Sequence, residues 1–451
     1  MNIDPISVAS VADTIALAES TYRKLLNFIY YNEKVYISNK EFMDVFKTVV
    51  KCADSPTTDE SLSIKKKNGE IIANEVLLYN WVVQQEKDFL QNQISELLKK
   101  DNLDMMLETF TKNFDNILIY IHWINKFFDY LNRFYLKGKK STLVREFHIL
   151  VKTEYFQVLT EKLVQIANLN LEKARNDEPI NDNQLIKMIN AFLIMSYSEN
   201  IDVKKNESGN FYWIGEYEST NGTRIPTFYK DNLENGIYKH LIDFYAIKIK
   251  NDWSKENTPT YVSLATKTLI FEEKLAERFY PESKNFIIKG LEKVIILDMA
   301  TQLVNNESSG VYHMLEKGKV DDLENLFLLF SRVPESFVPL AKNFQDYIEK
   351  SGKIFNKDEN LVKNPIDYIK KVILLKTEND NLVKSVFKNN LDMEKARDIA
   401  FKNFFNDFER SSKYLFPDLL INCFYFHSIF IILFLVRYFS LSQLILQRLQ
   451  K

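Results

Sequence analysis

Apolar residues recur every three or four positions along residues 103–135, and this spacing is the strongest structural constraint in the chain. On a helix of 3.6 residues per turn, side chains at that spacing form one continuous stripe. Polar residues such as Lys112 and Asp129 fall off the stripe. The stripe consists of Leu103, Leu107, Phe110, Phe114, Ile117, Ile121, Ile124, Phe128, Leu131 and Phe134. The segment is therefore predicted to be a long helix that buries one face.

The same periodicity extends over most of the chain. No segment shows the convincing alternation of apolar and polar residues that a half-buried strand requires. Only 10 Gly and 10 Pro occur among the 451 residues, and strands joined by tight turns use both residue types heavily. Further helices are predicted at residues 8–31, 38–52, 73–99, 143–175, 182–199, 231–250, 260–278, 284–304, 308–316, 321–331, 336–351, 365–375, 379–388 and 393–408. The pattern predicts an all-α fold.

Two segments inside the chain lack helical periodicity. Residues 55–70 are mostly polar and are predicted to form a solvated connection. Residues 202–226 combine several glycines with polar and aromatic residues. This second segment is predicted to be either a surface insertion or a small hairpin around residues 211–213.

Charge and cysteine content limit the function classes. The 59 basic and 61 acidic residues give a formal net charge of −2, without the basic excess that is typical of a nucleic-acid-binding protein. With only Cys52 and Cys423, neither a disulfide framework nor a Cys-based zinc site is expected. The N-terminal residues do not resemble a signal peptide. A reducing compartment, the cytoplasm or the nucleus, is therefore expected.

No motif for catalysis or cofactor binding is recognisable. The five histidines are scattered, without the HExxH pattern of a metal site, and His122 is interpreted as a packed side chain within the long helix. Residues 138–142 resemble a phosphate-binding loop only faintly, because Arg133 stands at the required first Gly and Lys140 at the hydroxyl position. No nucleophile with a neighbouring base follows a known pattern. The chain is predicted not to be an enzyme and to need no cofactor or metal.

The end of the chain differs in composition. Residues 419–436 form an eighteen-residue stretch without a formal charge, which meets the lower length limit of a membrane span. Three interpretations of the apolar tail 411–451 stay open: an artefact of the gene model such as an unspliced intron, a membrane anchor, and a buried helix. A membrane partner is expected only under the second of these.

Several short segments, in order and at consistent spacing, resemble the N-terminal region of the cullin family. Residues 42–52 (FMDVFKTVVKC) are similar to the adaptor-binding helix of cullins of the SCF type, although two family tyrosines are phenylalanine here and one is valine. Residues 130–133 (YLNR) are similar to a motif that ends the family's second adaptor-contacting helix. The other similar segments are 172–181 (EKARNDEPIN), 271–273 with 280–283 (FEE and YPES), 317–323 with 328–334 (KGKVDDL and LLFSRVP), and 382–387 with 396–405.

The resemblance implies an elongated stalk of about three stacked five-helix cullin repeats, at residues 1–155, 156–280 and 281–410. It implies a non-catalytic scaffold of a cullin-RING ubiquitin ligase, which binds a substrate adaptor of the SCF type and, through it, substrate receptors. The implied adaptor-binding residues are Phe42, Met43, Val45, Phe46, Val49, Val50, Asn132 and Arg133. The alternative for these residues is that they only pack against the 103–135 helix or brace the bundle.

The resemblance ends near residue 420, before the family's RING-binding half would follow. The chain as given is therefore not expected to bind a RING subunit. Two other functions stay open: a truncated cullin that sequesters adaptors, and a subunit of a vesicle-tethering complex, since such complexes also use helical rods.

Overall fold

The structure is a computed structural model that describes residues 11–31, 37–54, 74–220, 223–363 and 365–406. The predicted connection at 55–70 and the apolar tail 411–451 lie outside these ranges. Among the helices within them, none combines the length and apolarity needed to cross a bilayer. The chain divides into two compact units after His240.

The first unit is built from helices that pack around one long central helix, with a small hairpin beside it. Its elements are α1 (Val11–Tyr31), α2 (Asn39–Asp54), α3 (Asn74–Leu98), α4 (Leu103–Phe127), α5 (Leu143–Leu150), α6 (Gln157–Arg175), α7 (Asp182–Ile194), β1 (Tyr197–Lys205), β2 (Phe211–Tyr217), β3 (Ser219–Thr220), β4 (Thr223–Arg224), α8 (Thr227–Tyr229) and the start of α9 (Asn235–Asn251). A π-helical segment, Val151–Phe156, joins α5 to α6 without a break, so the predicted 143–175 helix is continuous.

The second unit is entirely helical within its described residues. Its elements are the end of α9, α10 (Thr258–Phe279), α11 (Lys284–Glu292), α12 (Asp298–Val304), α13 (Val311–Glu316), α14 (Val320–Phe330), α15 (Phe337–Lys357), α16 (Glu359–Lys363), α17 (Pro365–Ser385) and α18 (Leu391–Asn406). The two helices predicted at 365–375 and 379–388 are one helix, α17. The polar residues between the two predicted segments lie inside α17. The backbone hydrogen bonds of the helix continue there, although the apolar pattern is interrupted.

At several helix starts, a short polar side chain satisfies free backbone N–H groups. The Asn102 side chain accepts a hydrogen bond from the Asp104 N–H at 2.7 Å at the start of α4. Thr142 caps α5 in the same way. Asn257 caps α10, accepting from the Thr260 N–H at 2.9 Å. These local signals explain why the helix starts agree with the sequence pattern.

The apolar stripe of α4 is the core of the first unit, as predicted. Phe110, Phe114, Ile117, Ile121 and Ile124 are all 2% exposed or less. Burial of such side chains contributes roughly 1.5–3 kcal/mol each, so this helix supplies much of the unit's stability. The stripe's last member, Phe134, lies beyond the end of α4 and is 66% exposed.

The β1–β2 hairpin corrects one prediction and decides between two alternatives. The helix predicted at 182–199 ends at Ile194, and β1 pairs antiparallel with β2 through Val203 opposite Trp213. The hairpin interpretation of the 202–226 segment is therefore the right one. Only a few strand residues are buried, among them Ile201 and Trp213, and irregular register interrupts the pairing. For this reason no clear alternation marks the strands in the sequence.

Candidate docking surface on the first unit

Hydrogen bonds and an ion pair fix the first turn of helix α2. The Ser38 hydroxyl accepts from the Glu41 N–H at 3.1 Å, and the Glu41 carboxylate accepts from the Ser38 N–H at 2.9 Å, which is a reciprocal capping box. Glu41 also pairs with Lys24 of α1. That ion pair, together with the bonds from Ser38, lowers the pKa of Glu41 to about 2. The carboxylate is therefore charged at neutral pH and fixes the direction in which α2 leaves its cap.

One face of α2 belongs to the core. Val45, Val49 and Cys52 are 1%, 0% and 0% exposed. The i, i+4 and i+7 spacing of these residues places them on one side of the helix. Val45 and Val49, both among the adaptor-binding residues that the resemblance implies, thus face inward. In this structure both valines hold the helix to the body of the unit.

The other face of α2 is only partly covered. Met43 is 40% exposed, and Phe42, Phe46 and Val50 are half-buried. The rings of Phe42 and Phe46 stack with centroids 6.4 Å apart, and Phe42 contacts Phe127 of α4 at 5.7 Å. The predicted residues therefore divide into a buried pair and a group at the surface.

The aromatic contacts continue beyond α2. Phe127 stacks on Trp123 at 5.9 Å, Trp123 meets His122 at 5.9 Å, and His122 lies 4.1 Å from Phe211 of β2. We call this run of six rings the aromatic row: Phe46, Phe42, Phe127, Trp123, His122 and Phe211. Of its α4 and β2 members, His122, Trp123 and Phe211 are half-buried at the surface, whereas Phe127 is 3% exposed and belongs to the core. The sequence pattern did not predict Trp123 or Phe211 as surface residues, and the i, i+4 spacing of Trp123 and Phe127 was the one local signal on α4.

Asn132 and Arg133 lie just beyond α4, in the π-helical segment Leu131–Leu136, and have different roles there. The Asn132 amide donates to the Asn125 side chain at 2.8 Å, and its oxygen accepts from the Leu143 N–H at 2.8 Å. Asn132 therefore braces the first N–H of α5 against α4. The Arg133 side chain is 68% exposed and donates to Asp129 at 2.6 Å. Of the two, only Arg133 presents most of its surface to solvent.

Replacing Asn132 by alanine is expected to lower the free energy of unfolding by about 1–2 kcal/mol, because it leaves the Leu143 N–H and the Asn125 side chain without their partner. Chemical denaturation of the full chain measures this. Arg133→Ala is the matched control, since an exposed ion pair contributes roughly 0–1 kcal/mol. Equal stability of Asn132→Ala and Arg133→Ala would contradict the bracing role.

Helices that bury one face in a core, with only small two-stranded hairpins beside them among the described residues, define a protein of the all-α class. Residues 21–421 match the family model of the cullin α solenoid domain. The chain belongs to the cullin family. This confirms the predicted family and the all-α fold class, and an α solenoid fits the predicted stack of helical repeats. The repeat boundaries at 155, 280 and 410 stay predictions.

Known proteins with similar sequences are also cullins. The chain is 24% identical to Cullin-2 of Arabidopsis thaliana over 319 residues, which are 70% of this chain and 38% of that protein. It is 22% identical to Cullin-1 of Schizosaccharomyces pombe over 321 residues, 69% of this chain and 39% of that protein. It is 24% identical to Cullin-1 of Dictyostelium discoideum over 281 residues, 58% of this chain and 33% of that protein. The aligned part is thus well under half the length of these relatives, and the Cullin-1 matches fit the SCF-like character.

Proposed function

We propose that this chain is a non-catalytic scaffold subunit of a cullin-RING ubiquitin ligase and that it binds a substrate adaptor of the SCF type through the outer face of α2. One observation carries the proposal: Met43 is exposed beside the half-buried rings of Phe42 and Phe46 on the helix that resembles the family's adaptor-binding helix. Membership of the cullin family supports it.

The two faces of α2 would have different roles in docking. Val45 and Val49 anchor the helix in the core, and the capping box at Ser38 and Glu41 sets its first turn. An apolar helix face that is already ordered loses little conformational entropy when a partner groove closes over it. The adaptor would then be held at a fixed position on the first unit.

A fixed position is what a ligase scaffold requires. A substrate held near a ubiquitin-charged enzyme meets it at a high effective concentration, and this gain depends on geometry that does not relax. The scaffold itself needs no reacting group for this role. Packing of α2 against the α4 core through Phe42 and Phe127 would transmit the adaptor's position to the rest of the unit.

The combined substitution Met43→Ala and Phe46→Ala is expected to weaken adaptor binding by roughly 30-fold, about 2 kcal/mol, because apolar anchors at the centre of an interface carry most of its energy. Isothermal titration calorimetry of the full chain with an SCF-type adaptor measures the affinity. Circular dichroism should show an unchanged helical content, since neither side chain is fully buried.

Met105→Ala with Phe286→Ala is the matched control. It removes the same two residue types from exposed positions elsewhere, where Met105 is 53% and Phe286 46% exposed. The control should bind like the unaltered chain. If the Met43 and Phe46 variant binds like the control, α2 is not the docking helix.

A further inference from the structure

The β1–β2 hairpin extends the aromatic row away from α2. Phe211 stands at the first position of β2 and packs on His122 of α4 with ring centroids 4.1 Å apart. Trp213, two residues further on the same face, is 4% exposed and packs on His148 of α5 at 5.2 Å. The buried Trp213 thus anchors the hairpin, and the half-buried Phe211 completes the row at the surface.

Two lysines lie over this end of the row. The Lys126 ammonium is 5.3 Å from the centre of the Trp123 ring, and the Lys205 ammonium is 5.5 Å from the centre of the Phe211 ring. Both side chains are exposed. Neither lysine forms an ion pair with a carboxylate in the part of the chain that the structure describes. Both charges are therefore available to a ligand.

The ring between the lysines is uncharged at neutral pH. Burial, assisted by the positive charges of Lys126 and Lys205, lowers the pKa of His122 to about 4. A neutral imidazole adds apolar surface to the row instead of a third positive charge. The local chemistry is thus an aromatic platform with a cation over two of its rings.

We propose that the hairpin end of the aromatic row is a second contact surface for the adaptor and that it takes an acidic, amphipathic segment of that protein. Apolar side chains of the segment lie on Trp123, His122 and Phe211, and its carboxylates pair with Lys126 and Lys205. The inference rests on the proposed function, because the adaptor supplies the segment. Charge complementarity selects this occupant, since both available charges at the platform are positive.

The test reverses these two charges in the full chain. Lys126→Glu with Lys205→Glu is expected to weaken binding of an SCF-type adaptor by roughly 30-fold at low salt, because like charges placed opposite each other are repelled across an interface. The difference should shrink at high salt, where charges near the surface are screened. Calorimetry at two ionic strengths measures both effects.

The control carries the same charge change on the same two elements. Lys112→Glu lies on α4, fourteen residues before Lys126 and about 21 Å along the helix. Lys204→Glu lies on β1 next to Lys205, but Lys204 pairs with Tyr212 and faces the other side of the hairpin. All four lysines are exposed. The control pair should bind the adaptor within about twofold of the unaltered chain, since exposed charges outside the contact contribute little.

The outcomes separate the two proposals. If the Lys126 and Lys205 variant binds like its control while the Met43 and Phe46 variant is weakened, the hairpin surface is refuted and α2 docking stands. If only the lysine variant is weakened, α2 docking is refuted and the hairpin surface stands. If the unaltered chain binds no adaptor, both fail. Sedimentation that shows a dimer lost only in the lysine variant would assign the surface to a second copy of the chain and overturn the proposal.

Discussion

Replacing Glu86 by methionine is expected to raise the free energy of unfolding at neutral pH by about 3 kcal/mol, the cost of burying an unpaired carboxyl group. Glu86 is 0% exposed, and neither carboxyl oxygen has a hydrogen-bond partner among the described residues. It shares a buried face of α3 with Val82 and Phe89. A flexible apolar side chain of similar length fills the same space without the desolvation cost.

The effect of Glu86 depends on pH, and the direction follows from its surroundings. Burial, and then the nearby Glu146 carboxylate, raise the pKa of Glu86 well above its usual range. The folded state therefore holds this proton more tightly than the unfolded state. Its contribution to stability is fully present below the ordinary pKa of the carboxyl and is lost as pH rises through the folded-state value.

Glu86→Gln isolates this titration, because it keeps the shape and removes the ionisable group. The stability of the unaltered chain should fall relative to Glu86→Gln as pH rises from acid to neutral. Chemical denaturation across that range measures the difference, and Glu161→Gln on the exposed side of α6 is the matched control. A constant difference between the unaltered chain and Glu86→Gln at all pH values would show that Glu86 does not titrate abnormally.

Replacing Gly352 by alanine is expected to lower the free energy of unfolding by about 3 kcal/mol through overpacking. Gly352 lies where α15 crosses α18, and an added Cβ would stand 2.5–2.7 Å from ring carbons of Phe404. Phe404 is itself 0% exposed and packs on Phe401 at 5.3 Å. The ring therefore cannot relieve the contact by turning outward into solvent.

A second substitution separates crowding from other effects at Gly352. Phe404→Leu should be less harmful in the Gly352→Ala background than alone, because the smaller side chain relieves the contact. Gly138→Ala is the control, since no atom lies within 4 Å of its added Cβ. Thermal unfolding of the full chain compares the variants. A melting temperature of Gly352→Ala equal to that of Gly138→Ala would contradict a close crossing of the two helices.

The substitutions at Glu86 and Gly352 change residues in the core. The proposed docking surfaces consist of residues that stay exposed or half-buried when the core packs. Val45 and Val49 are buried by the same packing that keeps Met43 at the surface. Likewise, Trp213 packs on His148 and holds the hairpin in place, and Phe211 of the same strand contacts His122. A variant that destabilises the first unit would therefore lower the proposed adaptor binding indirectly. For this reason the binding tests use only exposed or half-buried positions.

Much of the fold was predictable because its signals are local. The apolar spacing of α4 and the capping side chains at Asn102 and Thr142 act within a few residues along the chain, so the sequence shows them directly. The family was also recognisable from short segments kept in order. The outer face of α2 was predicted only in part. Val49 and Val50 are adjacent in the sequence, and the apolar spacing does not determine which of them faces the core.

The sequence by itself determined the helical class, most helix bounds, the family and the helix proposed for docking. Only the tertiary structure decided which apolar residues stay outside, that Glu86 lies inside, and that His122 meets Phe211 across 89 positions of the chain. The physical reason is that helix formation depends on neighbours within one or two turns, whereas burial depends on which distant elements pack together. The proposed surface is made of such distant neighbours.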